Sequence, residues 1–356
     1  MTEWREAALQ DIAYVNPAES ISNGTKAKKV PMELLEPFTK RVSGYQIEEY
    51  KGGVKFKNGD TIIARITPSL ENGKTAFIDI LEKDEIGFGS TEFIVLREKE
   101  GLSDKNFLYY LALSPDFRET AILSMTGSSG RQRVQTDVVK EHLFNIPSFP
   151  EQKTIASVLS SLDDKIDLLH RQNKTLEEMA ETLFRQWFVV EASEEWEVKP
   201  LNYFGNIICG KTPSKKKLEN FGGNILFIKI PDMHGKVFVF DTTDTLSVIG
   251  KESQINKTLP PWSINVSCIA TVGLVTMNAF EAQTNQQINS IIPDEKFRYY
   301  LYYEMKNSYD LLQSMASGGT ATLNLNTGNF SRIEITLPDE ETLLKFNDFA
   351  EPIVAK

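Results

Sequence analysis

Chemistry is most readily suspected in GNIICGKT (205–212), which fits the GxxxxGK[ST] phosphate-loop spacing, with VFVFD (237–241) as an apolar strand ending in an acid suited to magnesium. A phosphate loop must leave a buried strand and open a helix whose N-terminal amides face the phosphates. Pro200 before the motif and Pro213 after it oppose both requirements. A P-loop-type nucleotide-binding protein is therefore the rival reading, not the preferred one. His142, His170 and His234 stand apart from any Cys or carboxylate at ligand spacing, and no GxSxG or HExxH occurs. EYK (49–51) is a fragment of a nuclease pattern without its upstream Asp. The chain is expected to be non-catalytic, with no cofactor or metal of its own.

The elements that would carry such residues are those of an ordinary cytoplasmic protein. With 356 residues and 41% hydrophobic content the chain can build two domains. Cys209 and Cys268 lack CxxC spacing, which suits a reducing compartment. The start MTEWREAALQD is charged where a signal peptide is apolar, and SINVSCIATVGLVTM is too short and too polar for a membrane span. The net charge of −10 opposes nucleic-acid binding at first sight, but ten acids against five bases lie in 151–195 and five against two in 338–356. The remainder is nearly balanced, with basic clusters at KAKK (26–29), KGGVKFK (51–57), GRQR (130–133) and KTPSKKK (211–217).

One segment predicts a long helix. Ile155, Leu159, Leu162, Ile166, Leu169, Asn173, Leu176, Ala180, Leu183 and Trp187 alternate steps of four and three, a heptad seam. No Gly or Pro interrupts 151–190, so at 1.5 Å per residue the helix approaches about 60 Å. Asn173 falls at position a, where a buried amide fixes register and partner. Asp163 and Asp164 lie in the first half and Arg185 near the end, as the helix dipole favours. So narrow a stripe calls for a facing helix from this chain or from a second copy, the latter giving a possible homodimer.

The chain also repeats itself. WREAAL (4–9) aligns with WEVKPL (196–201), FLYYLALSPDFRETAILSM (107–125) with FRYYLYYEMKNSYDLLQSM (297–315), and PEQKTI (150–155) with PDEETL (338–343), at offsets of 192, 190 and 188. Each half reads as strands and a short helix followed by an amphipathic helix. The predicted strands are DTIIARI (60–66), KTAFIDIL (74–81) and STEFIVLR (90–97), then NILFIKI (224–230), VFVFD, INVSCIATV (264–272) and QINSIIP (287–293). The expected architecture is α+β: two similar mixed α/β domains, 1–149 and 191–337, joined and followed by helices at 150–190 and 338–356 that pair as an antiparallel coiled coil about a pseudo-twofold axis.

This order of parts resembles the specificity subunit of type I restriction-modification systems over nearly the whole chain. The likeness is carried by IPSFPEQKTIASVLSSLDDKIDLLHRQNKTLEEMAETLFRQWF (146–188), by the Trp opening each half, by GKTPS (210–214), and by the Gly-rich loops GSSGRQRV (127–134) and SGGTATLNLN (317–326). It implies two target-recognition domains, each reading one half of a bipartite, asymmetric double-stranded DNA site, with the helices setting the spacing. It also implies two methyltransferase subunits docked on the helices and holding S-adenosylmethionine, with restriction/translocase subunits using ATP. The segment 338–356 departs from the pattern at about half the length of the first helix, an apparent truncation that leaves the helical pair incomplete.

Under that implication, bases are read by Arg on guanine and by Asn or Gln on adenine, while Lys, Ser and Thr position phosphates. In GSSGRQRV the candidates are Ser128, Ser129, Arg131, Gln132 and Arg133; in its counterpart, Thr320, Thr322, Asn324 and Asn326. Further candidates are Asn72 and Lys74, then Gln283, Asn285 and Gln286, and for phosphates Lys211, Lys215, Lys216 and Lys217. Helix pairing is assigned to Ile155, Leu159, Leu162, Ile166, Leu169, Asn173, Leu176 and Leu183. A coiled-coil scaffold whose domains bind something other than DNA is the second rival.

Overall fold

The computed structural model describes residues 4–317 and 323–354. The chain forms two compact units, Met1–His170 and Arg171–Lys356. The boundary falls inside the long helix and not before it, because each unit folds around its own share of that helix.

In the first unit the strands are β1 (Arg5–Ala8), β2 (Ala13–Val15), β3 (Lys26–Val30), β4 (Gln46–Glu49), β5 (Val54–Phe56), β6 (Thr61–Ala64), β7 (Thr75–Phe77), β8 (Gly87–Gly89), β9 (Phe93–Glu98) and β10 (Leu143–Ile146). They form sheets ordered β2-β9-β6-β7 and β4-β3-β8-β5 and an antiparallel β1-β10 pair. Thr61, Ile62, Ile63 and Ala64 are all buried, so the central strand is an unbroken run of β-branched and small residues. Asp104 accepts from the Asn106 and Phe107 amides to cap the helix Lys105–Leu113, and Ser114-Pro115 ends it and opens Pro115–Leu123.

The second unit has β11 (Glu197–Pro200), β12 (Gly205–Cys209), β13 (Phe221–Ile228), β14 (Phe238–Val239), β15 (Thr245–Leu246), β16 (Ile264–Ser267), β17 (Val275–Asn278), β18 (Ala282–Thr284), β19 (Ile288–Pro293) and β20 (Glu334–Leu337). Its sheets run β12-β19-β16-β17-β14 and β15-β13-β18, with β11-β20 as the antiparallel pair. The order β2-β9-β6-β7 thus recurs as β12-β19-β16-β17. The parallel pair β3-β8 recurs as β13-β18. The repeat extends to side chains: the Trp4 indole donates to Glu151 (3.2 Å), and that of Trp196 donates to Asp339 (3.1 Å). Each pins the strand that opens a unit to the start of the helix that follows it.

The long helix spans Phe149–Arg185 and continues as a π-helical turn, Gln186–Val190. Its first part is held in unit one by buried Gln152 and Ala156. Lys40 donates to Ser160 (2.7 Å), the Tyr110 hydroxyl to Asp163 (2.5 Å), and Arg41 pairs with Asp164 (3.1 Å). Burial pushes the Lys40 ammonium below its ordinary range, against the pull of Asp163 and Asp164. In unit two Ala180, Phe184 and Phe188 enter the core, and Lys306 pairs with Glu177 and Glu181.

The seam residues divide. Ile155, Leu159, Leu176 and Leu183 are half-buried, whereas Leu162, Ile166, Leu169 and Asn173 are exposed, so Asn173 is no buried amide. The C-terminal helix, Glu340–Val354, brings Leu343, Phe346, Ala350 and Val354 into the core of unit two. Its Phe346 ring meets Phe184, Trp187 and Phe188. Helix pairing is therefore seen at the end of the seam, where Ala180 and Trp187 of the heptad pattern are joined by Phe184 and Phe188 from an adjoining i, i+4 stripe. No helix among the described residues is long and apolar enough to cross a membrane.

Phe184 lies within ring-contact distance of Phe188, Tyr300, Tyr303 and Phe346 and is 1% exposed, while Leu162 is 57% exposed. Phe184→Ala is expected to lower stability by about 3–5 kcal/mol and Leu162→Ala by less than about 0.5 kcal/mol, measured as urea midpoints of the isolated chain.

Candidate nucleic-acid interface

In unit one the fold places the two sequence-predicted loops side by side. After β6 the chain turns at 67–73, opening with a cis Thr67-Pro68 bond. The 127–134 loop returns beside it: the Thr67 amide donates to the Gln132 carbonyl (3.0 Å), and the Val134 amide to the Arg65 carbonyl (2.9 Å). Gly127 and Gly130 adopt φ of +130° and +76°, conformations that favour glycine.

Several cations gather at these loops, and most are occupied by the protein. Arg133 donates from Nε to both Glu92 carboxylate oxygens (2.9 Å each) and from an Nη (2.6 Å). That hydrogen bonding holds the Glu92 carboxyl below its ordinary range. Arg118 donates to the Leu70 and Glu71 carbonyls (3.1 Å each), Lys74 to the Met32 carbonyl (3.0 Å), and Arg65 to the Val134 carbonyl (3.2 Å). Arg131, Ser128, Ser129 and Asn72 are exposed. Lys74 thus braces its turn through the Met32 carbonyl.

Unit two gathers its candidate stretches in the same manner. A Cβ on Gly210 would meet the Asn285 carbonyl and Thr284 Oγ1 at 2.2 Å, so only glycine lets the two stretches approach. The Lys211 amide donates to the Thr284 carbonyl (2.9 Å) and the Thr212 hydroxyl to Gln286 (2.8 Å). The Leu325 amide reaches the Cys268 carbonyl (2.9 Å), and the Cys268 amide the Gln287 carbonyl (2.8 Å). Lys211, Lys215, Lys216 and Lys217 are exposed around this junction, as are Gln286 and Asn324.

Two amides, Gln283 and Asn285, are corrected by their burial, while a third, Asn326, is exposed. Gln283 is fully buried, donates to the Lys251 carbonyl (3.1 Å) and the Thr258 hydroxyl (3.0 Å), and accepts from Gln254 (2.8 Å). It sits on the buried strand β18, where an amide must find partners inside the protein. Asn285 is buried and bonds Gln287 through both ends of its amide. Asn326 caps the helical turn Thr327–Ser331 by accepting from the Asn329 amide (2.9 Å). Thr320 and Thr322 lie outside the described residues.

The phosphate-loop rival lacks its geometry. Gly205–Cys209 forms an edge strand, and the stretch after it leads through a 3-10 turn, Leu218–Asn220, into β13, so no helix opens behind Lys211. β14, which precedes Asp241, is at the opposite edge of the same sheet, and Asp241 pairs with Lys236 (2.9 Å).

Two α/β units of one topology, each gathering polar, glycine-bearing loops and sharing one long helix, define a duplicated recognition module. The chain matches the family described as the type I restriction modification DNA specificity domain twice, over residues 1–178 and 193–343, and belongs to that family. It is 33% identical to the type I restriction enzyme HindI specificity subunit of Haemophilus influenzae, over 97% of this chain and 92% of that subunit. It is 30% identical to the EcoAI specificity subunit of Escherichia coli, over 54% of this chain and 35% of that one. Its fold is similar to the type I restriction-modification S subunit of M. genitalium, with a TM-score of 0.58 at 13% identity over 99% of this chain and 92% of that one.

Glu92 and Arg118 escaped the sequence reading, because their partners are 41 and 47 or 48 residues away and no local pattern marks them. The Glu92–Arg133 pair predicts a pH dependence. A depressed carboxyl contributes fully above its ordinary value of 4.5 and loses that contribution as pH falls through the lower folded value. NMR titration should show the Arg133 Nε–H resonance shift, as Glu92 takes up a proton and that hydrogen bond is lost, only below about pH 4.5, and Glu92→Gln should abolish the step. Gln283→Ala should cost about 1–3 kcal/mol in urea unfolding while leaving base preference unchanged in a methylation assay.

Proposed function

We propose that this chain is the DNA-reading subunit of a type I restriction-modification complex, each unit reading one half of a bipartite, asymmetric duplex site. The observation that carries the reading is the recurrence, in two units of one topology, of loop clusters that present exposed basic and amide groups on protein-braced backbones. The unbroken helix fixes how many bases between the half-sites go unread, a duplex turn being roughly 34–36 Å. Two methyltransferase subunits dock on the helices, where Leu162, Ile166 and Leu169 are exposed, and supply S-adenosylmethionine. Restriction/translocase subunits supply ATP hydrolysis, and this chain performs no catalysis of its own. With a net charge of −10, much of the nonspecific phosphate attraction comes from those partners.

The test is methylome sequencing of a host expressing this chain with its methyltransferase subunits. The expected result is methylation at one two-part motif with an unread spacer of fixed length. Methylation without sequence preference, or at a single uninterrupted motif, would favour the scaffold reading instead.

A further inference from the structure

The two arginines of the 127–134 loop have different surroundings, and the difference bears on which of them can read a base. We infer that Arg131 reads a guanine in the half-site of unit one, and that Arg133 is a positioning residue that holds the loop in shape through Glu92. This rests on the proposal that unit one contacts DNA.

Recognition of guanine by arginine uses two parallel N–H donors aimed at O6 and N7 in the major groove. Arg133 has them engaged within the protein. Its Nε and one Nη are on Glu92, and its other Nη lies 3.4 Å from the Arg131 carbonyl. Turning it toward a base would strip Glu92 of its counter-charge, and an ion pair of this geometry is strong in proportion to its bidentate fit. The neighbouring cations are also held: Arg118 and Lys74 by carbonyls, and half-buried Arg65 by the Val134 carbonyl.

Arg131 differs in both respects. Its side chain is exposed and, among the described residues, no donor of its guanidinium meets a protein acceptor, while its backbone is fixed on both sides. The Arg131 amide donates to the Ser128 carbonyl (3.0 Å), Gly130 supplies the positive φ before it, and the following Gln132 carbonyl is tied to the Thr67 amide (3.0 Å). A free planar fork on a braced turn loses little freedom on engaging a base edge. Ser128 and Ser129, earlier in the same turn, have the short hydroxyls suited to phosphate.

The experiment uses the complex reconstituted with its methyltransferase subunits and a library of duplexes covering every single-base change in the wild-type motif. The wild type is expected to require a guanine in one half-site. Arg131→Ala should reduce discrimination at that position by about five- to a hundredfold and leave the other half-site unchanged, and Arg131→Lys, which keeps charge without the fork, should not restore it. Arg133→Ala should slow methylation of all sequences alike, with Arg133→Lys recovering part of the rate because it can still pair with Glu92. A uniform loss in Arg131→Ala would make that residue a phosphate contact and overturn the inference, as would loss of base preference in Arg133→Ala alone or a wild-type motif without guanine. A wild-type complex with no two-part preference would instead remove the proposed function itself.

Discussion

The long helix cannot bury its own apolar stripe, and the way each unit grips it governs everything else in the fold. Unit one does so mainly with polar groups: Trp4 on Glu151, Lys40 on Ser160, Tyr110 on Asp163 and Arg41 on Asp164. Unit two adds an aromatic core, Phe184 and Phe188 against Tyr300 and Phe346, to the pairing of Lys306 with Glu177 and Glu181. Partly buried ion pairs add modestly to stability because desolvation offsets attraction. Their directional demands nevertheless fix the angle at which a unit meets its own share of the helix.

Common ancestry of the halves is visible where chemistry has changed and backbone has not. In unit one the Phe77 amide of β7 donates to the Lys40 carbonyl (2.8 Å), and in unit two the Met277 amide of β17 donates to the Val237 carbonyl (2.8 Å). The same parallel edge segment therefore flanks both sheets. In the first it delivers Lys40 and Arg41 to the helix. In the second it carries Phe238 onto Trp262, whose face is also covered by the Arg298 guanidinium 5.1 Å from the ring centre. Hydrogen bonding along the backbone tolerates that exchange because it is indifferent to side-chain type.

The duplication and the helix were legible in the sequence because both are written in order along the chain: offsets of 192, 190 and 188, and a period of 3.5 residues. Less legible were the partners that individual side chains find in three dimensions. Asp163 and Asp164, read as acids suited to the first half of the helix, are also the acceptors for Tyr110 and Arg41. The seam through Leu162, Ile166 and Leu169 predicted a facing helix all along it, while Phe184, which heptad counting skips, carries the packing. Gln283 sits in a polar stretch that reads as surface, but the helical segment from Lys251 to Thr258 satisfies its amide internally. A polar residue on a buried strand has no signature in one sequence, since its partners lie 25 to 32 residues away.

These internal commitments explain why so few candidates remain free. A loop that must present one guanidinium or amide to a base edge loses affinity for every degree of freedom it freezes on binding. Bracing the backbone beforehand removes that loss, and bracing consumes polar groups: Arg133, Arg118, Lys74 and the Gln132 carbonyl in unit one, Gln283, Asn285 and Asn326 in unit two. The rich polar composition of these loops is thus mostly scaffolding. Recognition can then change by substituting an exposed side chain such as Arg131 while the braces, and the fold they hold, stay as they are.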